Sequence, residues 1–298
     1  MAFVFALIWA LVATSTMASG ELVTLTAEQK QAILDAHNVL RARTAMGLVG
    51  NQPKAANMPA LEWDDRLMDS ANNWVKQCVA GHDSGSDRAL TGYSWVGQNW
   101  AGGYSGNFSY YVDLWFREYK DYTFATKSCS AVCGHYTQVV WAKTTLVGCG
   151  VSRCSNYPYT IVCNYATGGN YNGEYPYVSG DDASQCNGEY VFKQRGLCMR
   201  KDQCNSGDCT CSISSCLNGG VLDSANCKCT CPDGFYGNKC EKPCVDSTLA
   251  SDYCSYSTIC SYSSYAPRCP KKCNLCKPVT LRDLNVVNRD NVKSRSPM

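Results

Sequence analysis

Apolar and small residues run without a charge from Ala2 to Ala18, followed by the small side chains of Ala18-Ser19-Gly20. That run is short for a bilayer-spanning helix and predicts a secretory signal peptide over 1–20. Beyond it, Thr26-Ala27-Glu28-Gln29 has the spacing of a capping box, which satisfies orphan amides at a helix start. Ile33, Ala36, Val39 and Leu40 recur behind it at helical spacing and predict one buried stripe on a helix ending near Gly47. The Pro and Asn content of 51–59 predicts a loop. Asp64 or Asp65 opens a second helix whose apolar face is Leu67, Ala71, Trp74, Val75 and Cys78, with Gly81 at its end. A polar, glycine-rich connection is predicted over 83–107. Tyr111, Leu114, Trp115 and Tyr119 then predict a third helix over 110–119. The stretches 145–153 and 160–165 are rich in Val, Ile and Thr and predict strands. Helices followed by paired strands imply an α+β layered fold.

After Tyr177 the apolar periodicity stops and cysteines recur every few residues as far as Cys276. The chain holds 22 cysteines, an even number whose density implies disulfides and an oxidising, extracellular compartment. In this half the disulfides must supply the stability, each by about 2 to 4 kcal/mol through restriction of the unfolded chain. Net charge is +2 over 298 residues, so charge gives no reason to expect a nucleic-acid partner. No segment after the leader is apolar enough to span a membrane. Asn107-Phe108-Ser109 is an N-glycosylation sequon. The polar, cysteine-free stretch 277–298 is expected to be a disordered tail.

The stretch Gly134-His135-Tyr136-Thr137-Gln138-Val139-Val140-Trp141 places a histidine, two hydrogen-bonding side chains and an apolar run together, and Cys163-Asn164-Tyr165 follows the two strands. With His37-Asn38-x-x-Arg41, these segments resemble, in order and spacing, the signatures of the CAP superfamily: cysteine-rich secretory proteins, insect-venom antigen 5 and plant pathogenesis-related proteins. The resemblance covers about 25–178 and implies an α-β-α sandwich there. The pairing it implies is Cys78 with Cys154, Cys149 with Cys163, and Cys129 with Cys133.

Three smaller pieces follow. Residues 179–210 read as a cysteine-rich hinge whose connectivity the sequence leaves open. Residues 211–241 resemble an EGF-like module, most clearly in Cys216-Leu217-Asn218-Gly219-Gly220 and in the run from Cys229 through Cys231 to Cys240. Residues 244–276 resemble the ShK fold of potassium-channel toxins, which implies Cys244 with Cys276, Cys254 with Cys269, and Cys260 with Cys273. The toxins' Lys-Tyr pair has no counterpart in the loop 261–268, which has tyrosines but no lysine.

The chain has three histidines, His37, His82 and His135. His37 shares a helix face with Ala36 and Leu40 and is expected to be structural. Many CAP proteins place two histidines and two glutamates in a cleft able to take zinc. Carried onto this chain, the set becomes His82, His135 and Glu118, with Gln98 standing where the family has its first glutamate. Glutamine brings no charge and cannot act as a general base, so the cleft is expected to hold a divalent ion at reduced affinity or none. The chain carries no Gly-x-Ser-x-Gly elbow, and each cysteine has a plausible disulfide partner, so a binding protein is expected rather than an enzyme. The candidate partners are an apolar ligand such as a sterol or fatty acid, an extracellular protein, and an ion channel met by the ShK-like end. Metal-dependent or serine-type hydrolysis through His135 and Glu118 is the competing chemistry. The 19 tyrosines and 7 tryptophans suit broad contact surfaces and a packed core equally.

Overall fold

The computed structural model describes residues 20–204, 209–246, 254, 258–261, 266 and 269–277. The expected signal peptide before Gly20, the tyrosine loop 262–265 and the tail beyond 277 lie outside the described residues. The chain groups into two compact units, Met1–Arg41 with Leu61–Pro176, and Ala42–Ala60 with Tyr177–Met298. The segment 42–60, which the sequence reading kept in the first domain, therefore goes with the cysteine-rich half.

In the first unit, β1 (Glu21–Val23) precedes α1 (Ala27–Ala45), whose start is the capping box: Thr26 and Gln29 each accept the other's backbone amide through their side chains. β2 (Glu62–Trp63) leads to α2 (Asp65–Val75), capped by Asp64, which accepts from the Leu67 amide. β3 (Val96–Gly103) and α3 (Ser109–Phe116) follow, and a 3-10 turn, Arg117–Lys120, carries the chain on from α3. The short ribbon β4 (Tyr122–Thr123) and β5 (Ser128–Cys129) precedes α4 (Gly134–Val139), then β6 (Leu146–Arg153) and β7 (Tyr159–Ala166). The sheet runs β1-β6-β7-β3, antiparallel throughout, with β2 parallel to β6.

The period-2 alternation of β7 assigns the layers. Asn164 reaches α2, donating to the Leu67 carbonyl and the Ser70 hydroxyl, whereas its neighbour Tyr165 points the other way and meets His37 of α1. On that second face Trp115 of α3 donates to the Trp100 carbonyl, and Arg41 of α1 donates to the carbonyls of Val139, Trp141 and Thr144. Helix lies on sheet on helix, an α-β-α sandwich. Gly148 and Gly150 let α2 approach β6 closely, because a Cβ at either would strike the α2 backbone.

Several expectations shift. Val39 is 56% exposed, and the buried stripe of α1 is Ile33, His37, Leu40, Arg41 and Thr44. Polar residues share that stripe because His37 finds a partner in the sheet and Arg41 in the carbonyls of and after α4. Leu114 is likewise 42% exposed, and α3 stops at Phe116 instead of running to Tyr119. α2 ends at Val75, short of Cys78, whose φ of 57° is incompatible with a continuing helix. The expected connection 83–107 contains β3, a full edge strand paired with β7 over eight residues. Its glycines hid it, since strand propensity disfavours a sequence such as Val-Gly-Gln-Asn-Trp-Ala-Gly-Gly.

In the second unit, 42–60 is laced to the following segment by backbone bonds, including Ala56 to Val178, Gly180 to Lys54, Cys198 to Met58 and Ala60 to Cys198. The expected hinge is thus ordered structure: β8 (Phe192–Gln194) and β9 (Leu197–Met199) form a hairpin closed by Arg195-Gly196, both at positive φ, and β10 (Thr210–Cys211) pairs with β8. Two further pairs complete the described strands, β11 (Val221–Asp223) with β12 (Lys228–Thr230) and β13 (Phe235–Tyr236) with β14 (Lys242–Pro243).

All 22 cysteines pair. The first unit holds Cys78–Cys154, Cys129–Cys133 and Cys149–Cys163. Cys186–Cys198 and Cys204–Cys209 settle the connectivity that the sequence left open. Cys211–Cys227, Cys216–Cys229 and Cys231–Cys240 follow, then Cys244–Cys276, Cys254–Cys269 and Cys260–Cys273.

Candidate functional site

Edge strand β3 is the wall on which the site is built. Gln98 lies opposite Asn164 in the register with β7, and Asn99 faces the other side of the sheet. His82 follows the end of α2, in a turn pinned where the Trp74 indole donates to the Gly81 carbonyl at 2.9 Å. Glu118 comes from the 3-10 turn after α3, and His135 from the first turn of α4. The four residues expected from sequence converge. The His82 and His135 rings are 6.4 Å apart between centroids, and His135 stacks on Trp115 at 6.1 Å.

Their hydrogen bonds define what each can do. His135 Nδ1 is 2.6 Å from Glu118 Oε1, and the other carboxylate oxygen accepts the backbone amides of His135 and Tyr136. Both Glu118 oxygens are engaged. His82 Nδ1 is 2.9 Å from Gln98 Oε1, an oxygen that can only accept. In its neutral form each imidazole therefore donates through Nδ1 and leaves Nε2 as the acceptor. Gln98 has no spare donor either: its amide gives one proton to Asp83 Oδ1 and one to Asn164 Oδ1, both at 3.0 Å. Asp83 in turn is held by Arg88 at 2.5 Å in a buried ion pair. A glutamate at position 98 would set a second carboxylate against Asp83. The glutamine suits this chain's own neighbourhood.

A zinc site needs at least three protein ligands converging at about 2.0 to 2.3 Å. Among the described residues no three His, Cys, Asp or Glu side chains are placed to hold a metal ion. His82 and His135 offer one nitrogen each, while Glu118 is turned to the start of α4 and to the His135 ring. The residues present do not fit a three-ligand zinc centre.

Two features escaped the sequence reading. A buried polar chain links α1 to the site: His37 Nδ1 meets the Ile33 carbonyl, His37 Nε2 meets the Tyr165 hydroxyl at 2.9 Å, and Asn99 donates to both that hydroxyl and the His135 carbonyl. Burial drives the His37 pKa down to about 4, against the bond to Ile33, and burial pushes the Tyr165 hydroxyl up. His37 is structural. The second feature is a groove of about 460 Å³ beside β3, lined by His82, Trp95, Gln98, Gln138, Tyr171 and Asn172 among others. Gln138 is locked there by its bond from the Gly169 amide. Its place in the stretch after His135 was the available signal, but a helical Gln reads from sequence as a solvated residue. Asn107 is exposed just before α3, and the Ser109 hydroxyl donates to the Ala32 carbonyl. Among the described residues no helix is long and apolar enough to cross a membrane.

The profile of the family described as CAP, cysteine-rich secretory protein family, matches residues 34–165. The chain is 37% identical over 269 residues to the cysteine-rich venom protein Mr30 of Conus marmoreus, an alignment spanning 85% of this chain and 82% of that one. It is 40% identical over 179 residues to Scoloptoxin SSD976 of Scolopendra dehaani, covering 58% of this chain and 85% of that one. Among solved structures, BmVAL-1 superposes with a TM-score of 0.51 at 26% identity, over 59% of this chain and 96% of that one.

Proposed function

The chain belongs to the CAP, or cysteine-rich secretory protein, family, and on that premise we propose that it is a secreted protein that acts by holding a ligand or an extracellular partner in its cleft without transforming it. The observation that carries this reading is the commitment of Glu118. With one oxygen on His135 Nδ1 and the other on two backbone amides, it is held to orienting an imidazole and is not set to act as a general base of its own. Gln98 supplies no base, and no thiol is free, as every cysteine is in a disulfide. The amide-rich lining supports a polar ligand or protein surface over a sterol or fatty acid, which would leave those groups without hydrogen-bond partners.

The pairing order of 211–240, first with third, second with fourth and fifth with sixth, supports reading that segment as EGF-like. The order in 244–276, first with sixth, second with fourth and third with fifth, supports a ShK-like end. Both serve as disulfide-stapled appendages to the cleft-bearing unit. A second reading, modulation of an ion channel by 244–276, draws on the match to Mr30 over 85% of this chain. Application of the full secreted protein to a potassium current decides it, and an unchanged current at micromolar dose removes it. The main reading is tested by incubating the protein with peptide and ester mixtures. Retained, chemically intact adducts support it, and turnover that His135→Ala abolishes refutes it.

A further inference from the structure

We propose that the groove beside β3 binds an uncharged oligosaccharide. The proposal rests on the reading of this cleft as a binding site and names the ligand's chemistry. Arg88 is the one Asp, Glu, Lys or Arg side chain lining the groove, and its guanidinium is spent on Asp83, itself 4% exposed, and on the Val96 carbonyl. No unneutralised carboxylate, lysine or arginine is left to select an ionic ligand. An apolar one would bury amides and an imidazole against hydrocarbon.

Aromatic faces stand among those polar groups. Trp95 is 37% and Tyr171 41% exposed, large open areas for rings set in a concave surface. Trp95 is braced by the Arg88 guanidinium, 5.2 Å from its ring, and by Gly85, where a Cβ would press on the indole at 2.8 Å. Tyr171 rests against Trp141, 6.2 Å between centroids. Gly169 lets the lining backbone lie directly against Trp141, whose ring a Cβ there would strike at 2.6 Å. Rigid aromatic plates beside a row of amides suit one class of ligand: a molecule with apolar C–H faces and hydroxyl edges, as a pyranose has. The ring face lies on Trp95 and Tyr171, while the hydroxyls meet His82 Nε2 and the Asn172 amide, which have no hydrogen-bond partner among the described residues. A volume of about 460 Å³ lies within the roughly 300–1,000 Å³ range of small-ligand pockets.

The experiment uses the full secreted protein with chitotriose, cellotriose and maltotriose, read by calorimetry and saturation-transfer NMR. A sulfated heparin oligosaccharide and palmitate are the charged and apolar controls. Saturable binding of an uncharged sugar is expected, with transfer strongest at the ring C–H protons. Tyr171→Ala, at an exposed position, should weaken it about tenfold with an unchanged unfolding midpoint. Trp95→Ala, its fold checked by circular dichroism, should weaken it as well. Failure of all three sugars to saturate, or equal binding by both variants, overturns the proposal. If heparin, palmitate or a peptide binds instead and Tyr171→Ala weakens it, the sugar is wrong and the binding cleft stands. If that binding is indifferent to Tyr171, both readings fall.

Discussion

Acid should loosen the cleft-bearing unit through His37 at pH values where the carboxylates held low, Asp64 and Asp65, are still ionised. The ring is fully enclosed, and burial lowers its pKa from 6.5 to about 4 in the folded protein. The unfolded chain therefore binds the proton more tightly, and stability falls as pH drops through the window between those values. Above 6.5 the contribution is complete. At about pH 4 it is largely lost, and the whole swing is about 3 kcal/mol, at about 1.4 kcal/mol per pH decade. Carboxylates held low, such as Asp64 and Asp65, lose their stabilisation only below their ordinary value of 3.8, so the two effects separate. Tryptophan fluorescence reports this unit, because the six tryptophans that follow the expected leader, Trp63, Trp74, Trp95, Trp100, Trp115 and Trp141, all lie within it. Guanidinium midpoints of the disulfide-intact protein should fall steadily from neutral pH to about 4.5. In His37→Phe the midpoint is lower at neutral pH and nearly flat across the window, while a His82→Ala, His135→Ala double variant keeps the slope. A His37→Phe variant as pH-sensitive as the wild type would refute the assignment.

Arg41→Met should lower stability by about 3 kcal/mol in the same assay, because three carbonyls lose their buried donor. Gly148→Ala forces α2 off β6 and should cost about 2 kcal/mol or more, seen as a lower midpoint. Gln98→Glu should destabilise the unit at neutral pH by about 1 to 2 kcal/mol, since the new carboxylate meets Asp83 where an amide donated, and should recover part of that loss on mild acidification. At Asn107 the secreted protein should lose a glycan mass on enzymatic deglycosylation, and Ser109→Ala should abolish that mass shift.

The elements whose partners are local were legible in the sequence. The capping box at Thr26 and Gln29 closes within four residues, and β7 carries the β-branched run Thr160-Ile161-Val162 beside its neighbour β6. β3 was hidden because an edge strand built on glycine has no propensity signal; its strand character comes from β7 beside it. The burial of His37 and Arg41 was equally silent, since it depends on carbonyls about a hundred residues away and on Tyr165. The four cleft residues were placed by motif resemblance. Their roles needed geometry: nothing in the order of residues says that Glu118 spends both oxygens on α4, or that Asp83 makes a glutamine the better neighbour at position 98.

The imidazoles give the most direct test of the central claim, that Glu118 and Gln98 orient His135 and His82 and are not aimed at a substrate or metal. Long-range proton–nitrogen NMR at about pH 8, where neutral imidazole tautomers are resolved, should show both rings protonated at Nδ1 with bare Nε2. Equimolar zinc should leave Glu118 bonded to His135. An Nε2-protonated ring in either residue, or release of the Glu118 carboxylate to the added metal, would contradict it.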